Sequence, residues 1–82
     1  SGAPDLIFEI VSPASRKMDY GLKNTVYSDA GVREYWIVDP VKEKVVVYCY
    51  ENDSDPYLYS FDVDIPVGIY SGLTIRIRDL LK

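Results

Sequence analysis

Eighty-two residues with a net charge of -4, a 48% apolar share, no histidine and one cysteine make one small domain, which buries only about 60% of its unfolded surface. That inventory excludes Ser-His and Cys-His catalysis and an internal disulfide within the segment, and its acidic balance argues against gripping nucleic acid by electrostatics alone. No stretch approaches the roughly 20 apolar residues of a membrane span and no basic start leads into an apolar core, so the expectation is a cytoplasmic protein without a membrane partner.

The chain enters through Ser1-Gly2-Ala3-Pro4 straight into an apolar run, and the spacing predicts a buried strand over residues 6–11, closed by the Ser12-Pro13 turn. An entry of this kind reads as the C-terminal part of a larger domain. Ser15 is placed to cap a helix over residues 16–30, in which Met18, Leu22, Val26 and Ala30 recur every four residues and form an apolar stripe. Asp19, Lys23 and Tyr27 form a neighbouring stripe, and Gly31 is a left-handed helix stop. A strand over residues 33–38 runs into Asp39-Pro40, where proline removes a ladder donor, and the short polar loop after it predicts an antiparallel hairpin with residues 44–50. Cys49 falls inside that second strand and reads as a packed thiol. Residues 57–61 make a further strand, 62–72 a loop with a short edge strand interrupted by Pro66 and Gly68, and the alternation Thr74-Ile75-Arg76-Ile77-Arg78 a last strand ahead of a helical turn. The order β-α-β-β-β-β is a mixed α/β (α+β) sheet with a single main helix. Its first strand lies parallel to the strand after the helix.

The residue that needs an explanation is Glu9, an acid planted in the middle of the first apolar run. On a strand, Asp5, Ile7, Glu9 and Val11 share one face. If that face meets water, Glu9 is an ordinary exposed residue. If it is covered, burying the carboxylate costs several kcal/mol unless a cation, a metal or hydrogen-bond donors compensate it. Tyr20, Tyr27 and Trp36 lie in regular elements beside apolar residues and read as packing rather than as base-stacking platforms.

Gly2-Ala3-Pro4-Asp5, the strand ending Glu9-Ile10-Val11-Ser12-Pro13, then Arg16, Asp19-x-x-x-Lys23-x-x-x-Tyr27, Ala30-Gly31-Val32 and Glu34-Tyr35-Trp36-Ile37-Val38-Asp39-Pro40 together resemble the bacterial restriction endonuclease branch of the PD-(D/E)XK nuclease superfamily, first catalogued as a domain of unknown function. The resemblance is close over residues 2–40 and loose beyond. It implies a restriction-endonuclease-like core, DNA as substrate, and one or two Mg²⁺ ions, with Mn²⁺ as a substitute, held by acidic residues. Such an ion neutralises charge on the phosphate oxygens and lowers the pKa of bound water. Glu9 matches the acidic residue of the (D/E)XK half-motif. The lysine of that half-motif belongs two positions later, where this chain has Val11, and the resemblance assigns the missing ammonium to Lys23. Lys23 is equally suited to an i to i+4 ion pair with Asp19.

Asp5 invites the label of the first acid, yet it lies four residues from Glu9 on one strand, roughly 13 Å between α-carbons, too far for both to hold one ion directly. It reads as a turn or strand-start residue, with outer-sphere ligation as the alternative. The first acidic ligand is expected from an adjacent strand upstream of Ser1, which leaves this segment with half a site and weak or no activity of its own. The alternative function is a non-catalytic dimerisation module on the same scaffold. An uncovered sheet edge gives either version a motive to form a homodimer.

Overall fold

A computed structural model of the chain describes residues 4–12, 28–52 and 55–81. Four strands form one sheet in the order β1 (Leu6–Ile10), β2 (Glu34–Asp39), β3 (Lys44–Cys49), β4 (Tyr57–Ser60). β1 and β2 are parallel, with Glu9 opposite Ile37, and β2-β3 and β3-β4 are antiparallel. The expected mixed sheet is therefore present, with its parallel pair where the crossover argument put it. Residues 28–30 are helical, and the rest of the expected helix, with Lys23, lies outside the described residues. Gly31 stops that helical stretch at φ +91°, a conformation open to glycine because it has no Cβ to clash.

Alternation sorts the sheet into two faces. Trp36 and Val38 of β2 and Val45 and Val47 of β3 point to one side, where they pack with Phe61, Ile65, Val67 and Ile77 in the larger core. The side chains of Val11, Tyr35 and Ile37 occupy the other side with Ile7, Val46, Tyr48 and Tyr50. β2 is buried along its whole length, as expected of a strand covered on both faces. At its C-terminal end Asp39 is itself fully buried, and its Oδ1 accepts the N–H groups of Val41 (3.1 Å) and Lys42 (3.2 Å). This closes the hairpin as an Asx turn.

The C-terminal part departs from the alternation of its sequence. A two-stranded ladder of β5 (Ile65–Pro66) and β6 (Thr74–Ile75) replaces the longer last strand, and a one-turn helix, Ile77–Leu80, begins where the strand was expected to continue. Three features end the strand there. Ile77 is drawn into the larger core, the Arg78 N–H donates to the Phe61 carbonyl at 3.0 Å, and the Leu81 N–H closes the turn onto the Ile77 carbonyl. Arg76 and Arg78 consequently do not share the face of one strand. Arg76 pairs with Asp64 at 3.0 Å, while Arg78 grips both Glu43 oxygens at 2.8 and 2.9 Å and Asp62 at 2.9 Å. Its guanidinium also lies 5.6 Å from the Phe61 ring centroid.

This guanidinium fastens the C-terminal segment to the β2-β3 turn, and it does so through groups that titrate. Hydrogen bonding to Arg78 holds the carboxyls of Glu43 and Asp62 below their ordinary values of 4.5 and 3.8. A depressed folded-state pKa contributes stability that is present above the ordinary value and lost as pH falls through the folded-state value. The melting temperature is therefore expected to fall as pH is lowered below about 4.5, and Arg78→Met should flatten that fall. Melts of both proteins between pH 7 and pH 3 test this, and parallel profiles would remove the clasp from the account. Because the groups are exposed, the same contribution should shrink in high salt.

Candidate metal centre

Glu9 sits near the end of β1, half-buried, on the sheet face of Ile7, Val11, Tyr35 and Ile37. Among the described residues this face carries Tyr35, Tyr48 and Tyr50, stacked in a row at centroid spacings of 6.1 and 6.2 Å. A carboxylate here is partly withdrawn from water and so interacts more strongly with a cation than one on an open surface. Glu9 thus stands between the two readings left open by the sequence, neither fully exposed nor fully buried.

Asp5 lies just ahead of β1, exposed, and is used by the neighbouring chain. Its carbonyl accepts the N–H groups of Arg33 (3.2 Å) and Glu34 (3.0 Å), which sets the start of the parallel ladder. Its carboxylate stands 3.9 Å from Arg33 Nη1, and the Arg33 Nε–H donates to Glu51. Those two acids raise the Arg33 pKa above its ordinary value, the Glu51 hydrogen bond contributing most. Asp5 and Glu9 therefore stand at opposite ends of one strand. Lys23 lies outside the described residues.

Two acids that sequence reasoning passed over are fully buried, Glu34 and Asp39, at the two ends of β2. By alternation Asp39 shares the Glu9 face. The Glu9-Ile37 register puts the α-carbons of Glu9 and Asp39 roughly 8 Å apart. Glu34 belongs to the opposite face, where the Trp36 Nε1–H donates to its Oε2 and Cys49 Sγ lies 3.9 Å from its Oε1. Burial, reinforced by the nearby Glu34 charge, pushes the Cys49 thiol up, as a packed, unreactive thiol requires. The signal that could have found Glu34 was its i, i+2 spacing to Trp36 on a predicted strand, which places both on one face.

Among the described residues no group of three or more His, Cys, Asp or Glu side chains gathers to hold an ion. The donor chemistry fits Mg²⁺ in part. Glu9 would supply one hard oxygen ligand from a half-buried position, and Mg²⁺ commonly takes one or two carboxylates and keeps several waters. Asp39 already commits one oxygen to its turn, and Asp5 is held by Arg33 at the far end of the strand.

The family model Uma2, described as "Putative restriction endonuclease", matches residues 1–74. No curated protein matches. A crystal structure of a "putative nuclease belonging to DUF820" from Anabaena variabilis ATCC 29413 superposes with a TM-score of 0.76 at 27% identity, and the match covers 98% of this chain but 45% of that one. This chain thus spans less than half the length of that relative. Its mixed sheet and the order of its elements are similar to those of a nuclease fold. With most of the sequence matched by a single model, the chain belongs to the Uma2 family of restriction-endonuclease-like proteins.

Proposed function

We propose that this chain is the part of a metal-dependent DNA endonuclease domain that carries the Glu9 ligand. The reaction is hydrolysis of a phosphodiester bond, and the observation behind this reading is a half-buried carboxylate on an apolar sheet face in a nuclease-like family. Glu9 holds Mg²⁺, or Mn²⁺ in its place, and the ion when bound supplies charge neutralisation at the phosphate and a more acidic water. Lys23 brings a cation toward the scissile phosphate and Asp5 is left an outer-sphere role. A further acidic ligand comes from polypeptide that docks beside β1, in keeping with the greater length of the relative. The setting is the bacterial cytoplasm.

Calorimetric titration of the purified chain with Mn²⁺ and Mg²⁺, wild type beside Glu9→Gln, tests this. Weak binding that is lost in the variant is expected, together with little cleavage of plasmid DNA. Equal binding by both proteins would remove Glu9 from the site. Robust Mg²⁺-dependent cleavage by the wild-type chain, abolished in Glu9→Ala, would show that no second half is needed.

A second reading, a homodimerisation module without chemistry, is favoured by one observation. Both outer strands carry large exposed apolar side chains, Phe8 and Ile10 on β1 and Tyr57 and Leu58 on β4, and such edges promote pairing. Sedimentation equilibrium separates the readings when run on the same sample: a dimer with no metal binding supports the module.

A further inference from the structure

We infer that Glu34 is a positioning residue, whose buried carboxylate fixes the orientation of Trp36 and through it the seat of β1. Glu34 is completely buried and so is Trp36. The two carboxylate oxygens face different partners. Oε2 takes the indole N–H, while Oε1 lies against the Cys49 thiol and against Gly68, where a Cβ would come within 2.7 Å of it. The raised pKa of Cys49 keeps that thiol a donor.

A carboxylate in this place is a poor choice for stability alone. Side chains of similar volume without charge generally do as well or better in a core, and what a buried polar group adds is a preference for one arrangement over its near neighbours. Here the arrangement at stake is the indole. Phe8 of β1 rests edge-on against it at 5.0 Å between centroids and 63° between planes, and Phe8 is followed directly by Glu9. The backbone repeats the link, since the Glu34 N–H donates to the Asp5 carbonyl at the start of β1. An indole held in one orientation gives Phe8 one seat. An indole with two orientations gives it two, and β1 follows. The consequence for a metal ligand on β1 rests on the function proposed above, whereas the ordering of the strand does not.

Trp36 is the single tryptophan, so its indole N–H resonance and near-ultraviolet circular dichroism report on this contact directly. The test compares wild type, Glu34→Gln and Glu34→Met in three measurements: the indole signal, amide exchange over residues 6–10, and Mn²⁺ affinity. Glu34→Gln retains an acceptor and is expected to keep one sharp indole resonance and near wild-type exchange. Glu34→Met is expected to stay folded but to split or broaden the indole resonance and to speed β1 exchange about tenfold, with Mn²⁺ affinity weakened in parallel. A Glu34→Met protein with one sharp indole signal and wild-type β1 exchange overturns the inference, whatever its melting temperature. If Glu34→Met does not fold, Trp36→Phe removes the donor while keeping an aromatic ring, and unchanged β1 exchange in that variant overturns it equally. Absence of Mn²⁺ binding in the wild type, with the exchange effect intact, sinks the metal centre and leaves the positioning role standing.

Discussion

Trp36→Ala is expected to unfold the domain at ordinary temperatures. The indole is fully buried at the centre of the larger core, among Val38, Val45, Val47, Phe61 and Ile65, and removing a side chain of that size from a packed core costs about 3-5 kcal/mol in lost transfer energy and cavity. The loss extends beyond volume, because the Glu34 carboxylate forfeits its N–H donor and Phe8 its ring contact. A buried carboxylate oxygen that loses its N–H donor adds about 1-3 kcal/mol. A domain of this size has a total stability of roughly 4-12 kcal/mol, at about 0.05-0.15 kcal/mol per residue. Urea denaturation followed by circular dichroism is the measurement, and a midpoint within 0.5 M of wild type, about 1 kcal/mol for a small protein, would mean that the core does not depend on this ring.

The second large effect is expected at Gly68→Ala. A Cβ there falls 2.7 Å from Glu34 Oε1, 3.5 Å from Cys49 Sγ and 3.7 Å from Glu34 Cδ. The oxygen cannot easily yield, since its carboxylate is fully buried and tied to Trp36, so the backbone or the core must shift. Overpacking of this kind costs about 1-3 kcal/mol. Removing the obstacle should remove the cost, and the same substitution in a Glu34→Ala background is expected to be close to neutral. A double-mutant cycle in urea tests the coupling. Additive effects of the two substitutions would show that Gly68 is required for some reason other than Glu34.

Much of the sheet was legible because its signals are local. The Asp39-Pro40 stop, the polar loop to Lys44 and the Gly31 terminator act within a few residues, and each marks a boundary seen in the structure to within a residue. Glu9 is conspicuous for a similar reason, as an acid inside an apolar run, and its role as a metal ligand is a proposal. The C-terminal segment was misread because Ile75-Arg76-Ile77-Arg78 alternates like a strand while its conformation is decided from a distance. The partners of Arg78 are Asp62 and Glu43, sixteen and thirty-five residues away, and the backbone of Phe61 captures its N–H. Glu34 was hidden in the same way, for although Trp36 is two positions on, the thiol and the glycine that complete its surroundings come from fifteen residues later and from beyond β4. Pairing of strands, and not any local preference, turns this residue from a surface acid into a buried one.

The two faces of the sheet are packed unequally. Among the described residues, eight buried apolar side chains belong to the layer of Trp36 and Ile77, against three in the layer that includes Tyr35 and Ile37, and Glu9 lies on the face of the smaller group. Among the described residues cohesion is thus concentrated on the face opposite Glu9, so substitutions beside Glu9 are expected to cost folding less than substitutions beside Trp36.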